Sequence, residues 1–111
     1  MQTVELAREI ISMYERHGWS LRRVLLRTDI KSEVSLEAEK LFGNAELGDS
    51  DFDALWFARK SQANREAWEL RLISEQPYAL FEVFEDDESE EDREEARQEM
   101  ENRMREHAVK A

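Results

Sequence analysis

The sequence predicts an α+β fold: a two-layer sandwich in which an antiparallel sheet of about four strands carries two amphipathic helices, with a charged helix at the C-terminal end. Three observations carry this expectation. Apolar residues near the N-terminus recur at helical spacing, three aromatic-rich runs of strand length crowd residues 54–84, and the composition turns abruptly acidic after Glu85.

Val4, Leu6, Ala7, Ile10, Ile11, Met13 and Tyr14 follow one another at three- and four-residue intervals, which draws a broad apolar stripe on a helix that Thr3 can cap. His17-Gly18-Trp19 supplies its stop, because Gly18 can take the left-handed conformation and aim Trp19 back at Met13 or Tyr14. Residues 20–27 admit two readings. Val24 and Leu26 alternating with Leu25 favour a strand buried on both faces, whereas Ser20 could cap a helix. Val34, Leu36, Ala38, Leu41 and Phe42 predict a second amphipathic helix over 32–42, ended by Gly43.

Residues 44–53 read as an acidic turn. The runs Ala54–Ala58, Trp68–Ile73 and Tyr78–Phe84 then predict three strands joined as a meander, with Pro77 outside both flanking runs as a ladder requires. Alternation puts Trp68, Leu70 and Leu72 on one face of the middle strand and Glu69, Arg71 and Ile73 on the other. The two helices are expected over the apolar side, and the strand at 20–27 is expected to join the meander.

Net charge divides the chain. It is −11 overall, but residues 82–111 hold 13 acids against five Lys and Arg. Residues 1–85 therefore read as a nearly neutral sheet domain and 86–111 as an acidic helical tail whose removal should leave that domain folded. Ser89 with Asp92 fits a capping box. Glu94/Arg97, Glu99/Arg103, Glu101/Arg105 and Glu106/Lys110 stand at helical pairing distances. Ala96, Met100, Met104 and Ala108 repeat every four residues as a narrow apolar stripe, which can capture a protein partner, mediate self-association or pack on the chain's own sheet.

Composition narrows the chemistry. No Cys is present, so disulfides, thiolate catalysis and zinc-thiolate sites are excluded. The acids near the N-terminus and the lack of any long apolar run predict a cytoplasmic protein without a signal or membrane segment. Strong negative charge argues against a nucleic-acid or membrane partner. Neither a nucleophile elbow, a phosphate loop, a dinucleotide turn nor an H-E-x-x-H pair occurs, and no cofactor is expected. His17 and His107, the two histidines, fall at a helix stop and in the tail.

The leading expectation is a non-enzymatic interaction or regulatory module whose acidic C-terminal helix binds a basic or Met-receptive protein surface, charge steering the encounter, with Ala96, Met100 and Met104 as the partner-binding residues. An alternative makes the chain a metal-dependent enzyme or small-ligand binder, with a pocket among Trp56, Trp68, Tyr78 and Phe84 and with Asp53, Glu69 and Arg71 as its polar groups. Asp53 and Glu69 are of the type with which metal-dependent nucleases hold a divalent ion, and Arg71 stands where such sites use a Lys to aid the nucleophile or the developing charge. A third reading has Arg22, Arg23 and Arg27 on a DNA-binding helix started by Ser20. The cluster Asp49, Asp51 and Asp53 offers oxygen ligands for a hard cation but lacks the glycine and distal glutamate of a calcium loop, so a solvated acidic turn is expected there.

Overall fold

The computed structural model describes the backbone of residues 2–110 and the side chains of residues 3–108. Helix α1 (Gln2–Arg16) leads into β1 (Ser20–Leu26), then α2 (Thr28–Val34), α3 (Ala38–Phe42), β2 (Glu46–Asp49), β3 (Ala54–Lys60), β4 (Glu66–Leu72), β5 (Ala79–Phe84) and α4 (Glu90–Lys110). The five strands form one sheet in the order β2-β1-β3-β4-β5. Only β1 and β2 run parallel; the other neighbours are antiparallel.

The first helix ends as its sequence requires. Gly18 takes φ +85°, and the amides of Gly18 and Trp19 bond back to the Glu15 and Tyr14 carbonyls. Trp19 thereby turns onto Tyr14, ring centroids 6.0 Å apart. Residues 20–26 are a strand, paired with β3 as expected. Leu21 and Arg23 oppose the successive β3 residues Phe57 and Trp56, so Arg22 is an extra residue in a bulge. In the turn between β3 and β4, Ala63 and Asn64 both have positive φ, which reverses the chain at the cost of left-handed backbone.

Three elements differ from expectation. The helix predicted over 32–42 is two short helices, and the break at residues 35–37 leaves Leu36 at 99% exposure. The stretch predicted as an acidic turn contains β2, which makes five strands rather than four. Finally, the helices exchange faces.

Trp68, Leu70 and Leu72 do share one side of β4, but α4 covers that side. Met100 and Met104 enter a buried cluster with Trp56, Trp68, Leu70 and Phe84. The N-terminal helices cover the other side, where Ile10, Ile11, Ile30 and Phe42 pack on Val24, Leu26, Leu55 and Phe57. The exchange is possible because β3 is buried on both faces from Ala54 to Ala58. The result is a sheet between two helical layers.

Candidate functional site

Helix α4 carries the residues assigned to partner binding, and its geometry decides what they can touch. Ser89 caps it, its hydroxyl accepting the Asp92 amide at 3.1 Å. Met104 is wholly buried and Met100 nearly so, with Ala96 packed against the same cluster. The stripe Ala96-Met100-Met104 is therefore occupied by the chain's own sheet.

Charged residues complete this contact. Arg97 is 1% exposed, its guanidinium 4.3 Å from the Trp68 ring and bonded to Glu90 and Glu94. Arg23 forks onto both Glu94 oxygens at 2.9 and 3.2 Å. The hydrogen bond from Arg23 holds the Glu94 carboxyl below its ordinary range, burial partly opposing it. The bulge in β1 brings both Arg22 and Arg23 to 5.8 Å from the Trp68 ring. Glu101 accepts the Trp56 indole N–H at 2.9 Å, and His107 stacks on Tyr78 at 3.5 Å. Of the four expected tail pairs, Glu94/Arg97 forms; Lys110 lies outside the described side chains.

The acidic turn is distributed among cations. Lys31 lies 3.2 Å from Asp49, Arg105 lies 2.8 Å from Asp51, and Asp53 accepts both the amide and the Nε of Arg27. The bond from Arg105 lowers the Asp51 carboxyl from its usual range. No group of three His, Cys, Asp or Glu suited to a metal ion occurs among the described residues.

Asp53, Glu69 and Arg71 are brought together only in part. Asp53 is held by Arg27 at the end of β1, whereas Glu69 accepts a hydrogen bond from the Tyr14 hydroxyl of α1. Tyr14 also stacks on Phe57 at 4.1 Å, and burial, reinforced by Glu69, pushes its hydroxyl well above the usual phenol value. Arg71 is 7% exposed and donates to the Leu72 carbonyl. The aromatic residues of that alternative lie on the opposite face from Glu69 and Arg71. Trp56 and Phe84 are almost wholly buried, and Trp56 meets Trp68 edge-on at 5.8 Å, with α4 filling the space above them.

Because residues 20–26 are a strand, no recognition helix begins at Ser20, and Arg22, Arg23 and Arg27 each face a carboxylate within 4.0 Å. What sequence reasoning left open is which of the tail's acids stay unpaired, namely those on the outward side of α4. Glu91, Asp92, Glu95, Glu99 and Glu106 are exposed and have no cationic partner among the described residues. Helical spacing from the Met stripe would have located this side, had the stripe been read as core. No described helix is long and apolar enough to cross a membrane. No family model, no curated protein and no solved structure matches the chain.

Proposed function

We propose that this chain is a non-enzymatic protein-interaction module, cytoplasmic in location, whose recognition surface is the outward side of α4 and whose partner presents a basic protein surface. One observation carries the reading. The acids of α4 nearest the sheet are engaged by Arg23, Arg97 and Trp56, whereas Glu91, Asp92, Glu95 and Glu99 are exposed and form no ion pair with any described residue. Like charges at i,i+4 spacing weaken a helix by a few tenths of a kcal/mol. The sheet supports this helix through Met100 and Met104, so the acidic side is presented on a rigid platform. Unneutralised acids of this kind accelerate encounter with a cationic surface and specify it more than they tighten it.

Partner recognition therefore moves from the Met stripe to the acids a third of a turn or more away. The test is charge reversal, with Glu91→Lys, Glu95→Lys and Glu99→Lys combined. The variant is expected to keep the parent's circular dichroism and melting temperature while losing the basic partner that the parent retains at low salt. Retention of the same partner by both proteins, or retention that does not weaken with added salt, overturns the reading.

A further inference from the structure

Across the sheet from α4, helix α1 and the turn between β4 and β5 border an open groove of about 630 Å³. Its size is that of sites that hold small organic ligands. Leu6, Ile10 and Met13 line it with apolar side chains, and Arg8, Arg16 and Arg71 line it as well. In a chain of net charge −11, such convergence of cations is unexpected.

The state of these arginines matters as much as their number. Arg23, Arg27, Arg97 and Arg105 all engage carboxylates. Arg8 and Arg16, two turns apart on α1, are exposed and have no ion pair or hydrogen bond to any described residue. Arg71 is buried at the groove, with Nη1 on the Leu72 carbonyl. Ser12, between Arg8 and Arg16 on the helix, and Ser74 on the turn add hydroxyl donors. Two acids, Glu9 and Glu75, also line the groove, and Glu75 is already engaged. Arg71 also lies against the Tyr14 hydroxyl, which donates to Glu69, so the cations of the groove without a partner among the described residues are Arg8 and Arg16.

We propose that this groove binds a small organic carboxylate, its apolar body against Leu6, Ile10 and Met13 and its carboxylate between Arg71 and the arginines of α1. A planar guanidinium fork matches a carboxylate in two parallel hydrogen bonds. The apolar wall selects against inorganic anions, which would leave it wet. The site is separate from the acidic side of α4, and neither depends on the other.

Titration of ¹⁵N-labelled protein with phenylacetate and with octanoate tests the proposal, with phenylacetamide and inorganic phosphate as controls. At least one carboxylate is expected to shift the amides of residues 8–16 and 71–75 saturably, with phenylacetamide and phosphate binding about tenfold or more weakly, the difference that a lost charge-assisted contact makes. The Arg8→Gln/Arg16→Gln variant alters only exposed side chains and should melt like the parent while losing about tenfold or more in affinity. The proposal is overturned if neither carboxylate gives saturable shifts in those residues, if the amide or phosphate binds equally well, or if the double variant binds unchanged.

Discussion

The two faces of the sheet are closed by different means. On one, α1, α2 and α3 contribute aliphatic side chains to a continuous cluster that includes Ile10, Ile11, Ile30, Val34 and Phe42. On the other, a helix whose described side chains include two large buried apolar ones, Met100 and Met104, completes the cover with the buried arginine Arg97 and with ion pairs. The comparison teaches that a helix can look polar all round and still belong to the core. The aliphatic stem of Arg97 lies under cover, its charged end meets the Trp68 ring, and Glu90 and Glu94 satisfy the donors at the rim.

The strongest way to break the comparison is to remove α4. Deletion of residues 86–111 strips the cover from Trp56, Trp68 and Phe84, whose side chains each bury about 150–250 Å². If only a third of that area returns to water, the loss at about 25 cal/mol per Å² is about 5 kcal/mol, comparable to the stability of a whole small domain. The truncated chain is therefore expected to bind a hydrophobic dye and to lose cooperative thermal unfolding. A sharp transition near the parent's would instead make α4 the separable tail that its composition suggests.

Single substitutions sharpen the same point. Met104→Ala on one face and Ile10→Ala on the other should each cost about 2–4 kcal/mol in denaturant unfolding, since both side chains are buried. Near equality would place the two layers on the same footing. A cost below about 1 kcal/mol for Met104→Ala would mean that the α4 face relaxes around the hole. Gly18→Ala, which forces a Cβ onto φ +85°, should cost about 1 kcal/mol through the end of α1 alone.

The smallest effect concerns acid. Glu94 and Asp51, both bonded to arginines, have folded-state pKa values below those of the unfolded chain. Their contribution is therefore present above the ordinary carboxylate range and is lost as pH falls through and below it. At least half of each carboxylate side chain is exposed, so each pair is worth below about 1 kcal/mol. Arg23→Gln should lower the melting temperature slightly at neutral pH, and the difference from the parent should shrink at acid pH, as Glu94 is protonated below the ordinary carboxylate range. An equal loss at both pH values would assign Arg23 a packing role instead.

Much of the architecture was legible in local patterns. The glycine stop at Gly18, the aromatic runs of the meander and the two faces of β4 all follow from spacing within a few residues. Strand β2 was not legible, because Glu46-Leu47-Gly48-Asp49 has no strand pattern of its own and is ordered by pairing with β1 from Arg23 to Leu26. The break at residues 35–37 was hidden by apolar spacing that two short helices satisfy as well as one. For the candidate sites, the Met stripe could be read, but not what it would meet. The groove was illegible for the same reason: Arg8 and Arg16 are far from Arg71 in the chain and meet only because α1 lies across the sheet.

The placement of the tryptophans has a practical consequence. Trp19 sits in the layer of α1, whereas Trp56 and Trp68 lie edge to face at 5.8 Å beneath α4. Two indoles so close and so inclined couple their electronic transitions and give a paired signal in circular dichroism, which a solitary indole does not. The molecule thus contains its own optical gauge of each face: departure of α4 would release Trp56 from Glu101 and Trp68 from Arg97 and so alter the coupled signal, while Trp19 emission would report whether the other layer had stayed in place.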